Sequence, residues 1–245
     1  MRRLGYQFRP ALIPSLATLL LLPVFVGLGL WQLDRAEQKR ALQAEYDARG
    51  RDGPIRIGAQ VQTAEELRFY RVMVKGYYNP DYQILLDNRV HQGRAGYHVI
   101  TPLRIAGSDV RVLINRGWIP LGETRADLPH ITVPDGLLEV TGLAVVPQPR
   151  HFKLSAEAEP SKDAWQPVWE YLDMKRIASA VPFKLQPVVV LLAPANTGGF
   201  VREWARLDAG IATHQGYAFQ WFTLAFALLM VYLFVNTRKI GDKDK

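Results

Sequence analysis

The sequence contains no cysteine, which excludes disulfides, thiolate metal sites and cysteine nucleophiles together, and permits an oxidising compartment without requiring one. Catalytic signatures are missing too. None of the serines (Ser15, Ser108, Ser155, Ser161, Ser179) sits in a Gly-x-Ser-x-Gly elbow, no glycine-rich loop ends in Lys-Ser or Lys-Thr, and no His-Glu-x-x-His occurs. The histidines, His91, His98, His130, His151 and His214, are scattered. No two have the i,i+4 spacing that sets a pair of imidazoles on one helix face. His91 and His98 could meet only across a strand pair. A membrane-tethered enzyme would need a catalytic constellation, and none is offered, so the chain reads as a non-enzyme.

Charge is the next absence, and it is local. Residues 10–33 and residues 215–237 contain no Asp, Glu, Lys, Arg or His. A helix rises 1.5 Å per residue, so about 20 such residues cross the hydrocarbon core of a bilayer, and each run is long enough to span. The first run is too long for the core of a cleavable signal and no Ala-x-Ala site closes it, which makes it an uncleaved anchor. Pro14 and Pro23 lie inside it, as membrane helices tolerate where neighbours satisfy the freed carbonyls.

What charge there is sets the orientation. The tails carry Arg2, Arg3 and Arg9 at one end and Arg238, Lys239, Lys243 and Lys245, with Asp242 and Asp244, at the other, so most of the net charge of +7 lies in them. Basic residues stay on the cytoplasmic side, which puts both ends inside and the stretch between the runs outside. The basic balance therefore speaks of membrane lipid and orientation rather than nucleic acid. The short N-terminal tail lacks an Arg- and Ser-rich transit segment, which favours a bacterial inner membrane over a mitochondrial one.

The organisation that follows is a membrane-anchored α+β protein. Residues 1–9 form a cytoplasmic tail, 10–33 a first transmembrane helix, 34–213 a periplasmic domain, 214–237 a second transmembrane helix and 238–245 a cytoplasmic tail. Residues 34–50 have no Pro or Gly before Gly50 and extend the first helix out of the bilayer, with Glu37 and Arg40, and Asp34 and Gln38, at helical-neighbour spacing on a solvated face. From Pro54 the pattern turns to β-branched and aromatic runs, with strands expected at 54–58, 68–78, 82–90, 97–105, 110–119, 137–146 and 186–193. Asn79-Pro80-Asp81 and Gly107-Ser108-Asp109 supply turns. Strands so closely spaced favour antiparallel hairpins, and the domain is expected to be mainly antiparallel β. Residues 169–182 read as one amphipathic helix, with Tyr171, Met174, Ile177 and Ala178 on a face, ended at Pro182. Residues 147–167 read as an irregular connection.

Chemistry is then left to a few residues. Arg89 and Arg116 follow buried-looking strands, where each serves either a domain-internal ion pair or an anion clamp suited to carboxylates. His214 stands at the threshold of the second run, one helical turn before Tyr217 and two before Trp221, with Gln220 beside them. Histidine and aromatics at headgroup level are ordinary interfacial residues. A neutral imidazole among aromatic and apolar side chains is also a ready axial ligand for a hydrophobic porphyrin.

LGLWQLDRAEQKRAL (28–42), YRVMVKGYYNP (70–80), LLDNR followed by GRAGYHVITPL (85–103), VLINRGWIP (112–120) and HQGYAFQWFTLA (214–225) together resemble, in the same order, the hallmarks of the Surfeit locus protein 1 family, assembly factors of haem-copper cytochrome c oxidase. The resemblance covers both spans and the first half of the outer domain; residues 121–185 match only loosely. It implies a non-enzymatic factor that binds haem a and aids its insertion or stabilisation in oxidase subunit I, with haem a synthase as a further partner. By the same resemblance His214 is the haem-associated position, within His-x-x-Tyr-Ala-x-Gln-Trp. Tyr217, Gln220 and Trp221 are motif residues without an assigned role, and Arg89 and Arg116 are candidate contacts to the haem propionates. The alternative is a haem-free membrane scaffold that holds oxidase assembly intermediates together.

Overall fold

A computed structural model describes residues 5–122, 128–147, 165–205, 207 and 210–239. The chain divides into two compact units, residues 1–44 with 207–245, and residues 45–206.

The first unit holds two long helices and a small sheet. Strand β1 (Tyr6–Phe8) leads into helix α1 (Leu12–Arg51), which continues as one element across the division between the units. Pro23 lies inside α1 without ending it. In the part of α1 just beyond the apolar run, Gln38 donates to Asp34 over 2.8 Å and Arg40 pairs with Glu37, as suits a solvated helix surface.

In the second unit the last turns of α1 are partly covered. Arg49 donates to the carbonyls of Glu65 and Arg68, each at 2.8 Å, Glu45 pairs with both Arg49 and Arg68, and Tyr46 meets Phe69 edge to face. Strand β2 (Ile55–Arg56) follows, then α2 (Ala64–Leu67), a single turn closed by a capping box between Thr63 and Glu66. Strands β3 (Arg71–Tyr78), β4 (Ile84–His91), β5 (Arg94–Ile105), β6 (Arg111–Pro120), β7 (Leu138–Val145) and β8 (Val168–Trp169) precede helix α3 (Met174–Ala180) and strand β9 (Leu185–Leu192).

The sheet order is β2-β3-β7-β9-β6-β5-β4-β8, and β3 pairs in addition with β5, through Gly76 with Ile105, Tyr77 with Arg104 and Tyr78 with Leu103. That extra pairing closes β3, β7, β9, β6 and β5 into a five-stranded barrel, with β2 added beside β3, and β4 and β8 added beside β5. Closure removes the unpaired edges that the barrel strands would otherwise present. Alternate residues of the five strands fill the interior: Val72 and Val74, Leu103 and Ile105, Val112 and Ile114, Val140 and Ala144, and Val188, Val190 and Leu192. Leu113 and Val189 point the other way, into a second cluster with Ile84, Ile100, Trp169 and Ile177. Strands β6 and β9 are therefore buried on both faces, which is why they read as near-continuous apolar runs. At Gly142 the strands come so close that a Cβ would sit on the Leu191 carbonyl, and only glycine fits.

Most pairings are antiparallel, but β9 runs parallel to β6, β2 to β3, and β8 to β4. Among the described residues only β4 with β5 and β5 with β6 form successive hairpins. The turn at Asn79 connects β3 to β4 through a short 3₁₀ segment, but the two strands do not pair, because β5 lies against the end of β3. The helix expected at 169–182 is shorter. Trp169 belongs to β8, and Asp173, accepting hydrogen bonds from the amides of Lys175 and Arg176, starts α3 at Met174. The irregular connection expected at 147–167 falls largely outside the described residues.

The chain re-enters the first unit with helix α4 (Ile211–Asn236), which is apolar along its length, and strand β10 (Thr237–Lys239). Both α1 and α4 are long and apolar enough to cross a membrane. Gln32 meets His214, Phe25 stacks on Trp221, and Ser15 meets Tyr232, so the numbers fall on one helix as they rise on the other and the helices run antiparallel. Small residues line the contact, with Thr18, Gly29 and Ala36 buried on α1 and Ala218 and Ala225 on α4. At the far end from His214, β1 pairs with β10, Tyr6 with Lys239 and Phe8 with Thr237, so residues 6–8 and 237–239 lie together at one end of the helix pair.

Candidate functional site

At the end of the helix pair opposite the tails the uncharged runs border the stretch that joins them. On α1 the first charged residue after the run is Asp34, two positions beyond Gln32; on α4 the run begins directly after His214. Gln32 is 9% exposed and is the polar group that α1 turns toward α4 at this level. Its Oε1 lies 2.7 Å from Nδ1 of His214. A carbonyl oxygen only accepts, so this pairing fits a ring that donates from Nδ1 and keeps its lone pair on Nε2. His214 stands on the first turn of α4, following Gly210, whose positive φ of 68° lets the chain turn into the helix.

The other motif residues divide by face. Trp221 is half-buried two turns on from His214 and stacks on Phe25 with ring centroids 5.9 Å apart. Ala218 between them is buried, so His214, Ala218 and Trp221 follow the side of α4 that meets α1. Tyr217 is 49% exposed and Gln220 is exposed, so both lie off that side. Trp31, also exposed, sits beside Gln32 with Arg35 over its ring. Tyr217 and Trp31 thus give this end of the helix pair the aromatic fringe of a membrane interface.

In the second unit the two arginines part company. Arg116 is 2% exposed. Its guanidinium donates to the carbonyls of Gly198 at 2.7 Å and Thr132 at 2.8 Å, and lies over the rings of Tyr78 and Phe200. Burial pulls its pKa down and, with the hydrogen bonds in place, Arg116 is committed to tying loops to the barrel. Where the sequence leaves Arg116 between an internal ion pair and a clamp on carboxylates, its guanidinium in this structure faces backbone carbonyls and ring faces. Arg89 is half-buried, and its carbonyl accepts from the indole of Trp118 at 2.8 Å.

The histidines of the barrel do not gather. The strand register sets His98 opposite Leu86, and His91 opposite Arg94, so the two never face each other. His98 accepts on Nδ1 from the side-chain amide of Asn115 at 3.3 Å and meets Trp204 edge to face, and burial with the nearby Arg89 charge holds its pKa down at about 4. His91 lies 3.9 Å from Glu203, His130 is exposed, and His151 is outside the described residues. Among the described residues no three His, Asp or Glu side chains group to hold a metal ion. A lone imidazole with a free Nε2 suits a metal that brings its own equatorial ligands, as iron in a porphyrin does.

Gln32 is the residue that sequence reasoning missed. The available signal was a strongly polar side chain just inside an uncharged run, at the end that an antiparallel partner helix brings beside His214.

Residues 19–226 match the sequence model described as the SURF1 family. A SURF1-like protein of Monosiga brevicollis is 26% identical over 242 residues, covering 92% of this chain and 88% of that protein. A SURF1-like protein of Rickettsia felis is 24% identical over 239 residues, covering 93% and 98%. The cytochrome oxidase assembly protein SHY1 of Saccharomyces cerevisiae is 27% identical over 165 residues, covering 65% of this chain and 42% of that protein.

Proposed function

The chain belongs to the SURF1 family, and on that premise we propose that it is a membrane-anchored assembly factor for cytochrome oxidase that holds haem a through His214 and aids its delivery to, or stabilisation in, oxidase subunit I. The yeast relative's name supports the assembly role. The observation that carries the haem role is the Gln32–His214 pair, which leaves Nε2 with its lone pair at the edge of an apolar helix pair.

His214 would be the residue to hold haem there, and the haem, when bound, would supply an iron that accepts a nitrogen ligand. The chain's own residues do the holding. His214 offers Nε2, Gln32 keeps Nδ1 occupied, and the apolar flanks of α1 and α4 keep the surroundings dry enough to favour a large hydrophobic ring over water. Arg89 stays in the proposal as a contact for propionate; Arg116 leaves it. With residues 6–8 and 237–239 together at one end of the helix pair, the basic tails are assigned to the cytoplasm and the barrel domain to the periplasm of a bacterial inner membrane. The partners are subunit I and haem a synthase.

A second reading, a haem-free scaffold, is favoured by one observation. Trp221 of the same motif stacks on Phe25 and so serves to pack the two helices together.

The test is an absorption spectrum of the detergent-purified protein, wild type and His214→Ala, co-expressed with the enzymes that make haem a. A reduced haem a band in the first, lost in a folded second, is the expected result. No band in either, with oxidase interaction surviving His214→Ala, would favour the scaffold.

A further inference from the structure

The geometry points to Gln32 as a positioning residue that selects the tautomer of His214, keeping the proton on Nδ1 and the lone pair on Nε2. Four observations carry this. The Oε1 to Nδ1 distance is 2.7 Å, within the range of a well-formed hydrogen bond. Gln32 is nearly enclosed, so its amide has little water to turn to. The bond joins residues 182 positions apart on two helices, so it is set by the packing of α1 on α4 rather than by local sequence. And Gly29, one turn away on α1, lies so close to Phe222 that a Cβ there would come within 2.7 Å of the ring, which holds the two helices at one separation at the level of the bond.

An isolated neutral imidazole exchanges its proton between the two nitrogens, and only the form with a bare Nε2 offers that atom to a ligand. A fixed acceptor at Nδ1 removes the other form. It also makes Nε2 a stronger electron-pair donor, because the acceptor draws the proton partly away from Nδ1 and leaves more electron density on the ring. The functional half of this inference rests on the haem role proposed above; the tautomer half does not.

The experiment separates the two. Full-length protein labelled with ¹⁵N-histidine and held in detergent micelles without haem is compared with His214→Ala, which identifies the His214 resonances, and with Gln32→Leu and Gln32→Glu. Wild type is expected to show a protonated Nδ1 and a bare Nε2, Gln32→Glu to keep that pattern, and Gln32→Leu to show a mixture of forms. A proton on Nε2 in the wild type, or an unchanged pattern in a folded Gln32→Leu, would overturn the inference. Hemin is then titrated into each protein. Gln32→Leu is expected to raise the Kd about tenfold or more, as loss of a partner behind a metal-bound histidine does. Gln32→Glu is expected to raise the iron–histidine stretching frequency of the ferrous form. A tautomer pattern as stated, with hemin affinity indifferent to His214→Ala, would uphold Gln32 as the selector while removing the haem role. If Gln32→Leu does not fold, the wild-type spectrum and Gln32→Glu still decide the tautomer.

Discussion

Asn236, the last residue of α4, accepts a hydrogen bond on Oδ1 from the backbone amide of Ala11 at 2.6 Å, so the C-terminal end of one long helix caps the N-terminal end of the other. Its carbonyl also accepts from the Arg9 amide, its Nδ2 donates to the Tyr232 carbonyl, and its side chain is 1% exposed. Asn236→Ala leaves an orphan amide at the start of α1 and is expected to cost about 1–2 kcal/mol. Thermal unfolding in detergent followed by circular dichroism measures it, and Asn236→Asp, which keeps the acceptor and loses the donor, is expected to fall between the two. A midpoint unmoved in Asn236→Ala would mean that the cap is replaced by water or detergent headgroups.

Gly29 sets the separation of the helix pair through its contact with the Phe222 ring. Gly29→Ala is expected to lower stability by about 1–3 kcal/mol, the cost of overpacking. Gly29→Ala combined with Phe222→Leu should recover a good part of that loss. Additive losses in the double variant would show that the two positions are not coupled.

Arg116→Met removes the donor to the carbonyls of Gly198 and Thr132 inside the domain. The unpaired carbonyls should cost about 2–4 kcal/mol in urea unfolding of the full-length protein. Arg116→Lys is expected to restore less than half, because one ammonium does not reproduce the guanidinium fork. In whichever variant folds, haem retention should match the wild type. A selective loss of retention in a stable variant would return Arg116 to the ligand.

His98 gives the domain a pH dependence with a defined sign. Its folded pKa of about 4 lies below its ordinary value of 6.5, so folding favours the neutral ring. Above pH 6.5 that contribution is fully present. As pH falls from 6.5 towards 4 the unfolded chain takes up a proton that the folded domain does not, and stability declines. The loss should reach on the order of 2 kcal/mol, allowing for the partial exposure of the ring. The difference in urea midpoint between wild type and His98→Gln, followed from pH 7 to pH 4.5, isolates this term from the carboxylates. A difference that stays constant across that range would show that His98 titrates normally.

Much of this architecture was legible because its signals are local. The uncharged runs, the helix-forming stretch after Asp34 and the alternation of Val72, Val74, Val112 and Ile114 each declare themselves within a few residues. The barrel did not. Its closure depends on Gly76 lying beside Ile105 and on β9 lying between β6 and β7, and pairings across such distances leave no short-range trace. The helix at 169–182 was overdrawn because the Met174, Ile177 and Ala178 spacing carried backward past Asp173, whose capping role breaks it. At the site His214 was legible as a titratable group at the edge of an apolar run, whereas Gln32 became meaningful only when α4 was laid against α1. Arg116 stayed open between an internal ion pair and a clamp because its place in an apolar run says nothing about which way its side chain turns.

The place of β9 in the barrel bears on how the protein is made. It is the last barrel strand in the chain, yet it lies between β6 and β7 and pairs with both. A growing chain that has emerged only as far as β7 therefore has both neighbours of β9 and no strand to join them. Both flanking strands offer open hydrogen-bonding edges during that interval, and such edges invite pairing with other chains. Since α1 precedes every barrel strand, the unfinished domain is already fastened to the bilayer and cannot diffuse freely in three dimensions while it waits. A message truncated before residue 185 would yield a tethered but unclosable domain, a substrate for membrane proteases rather than a partly working protein.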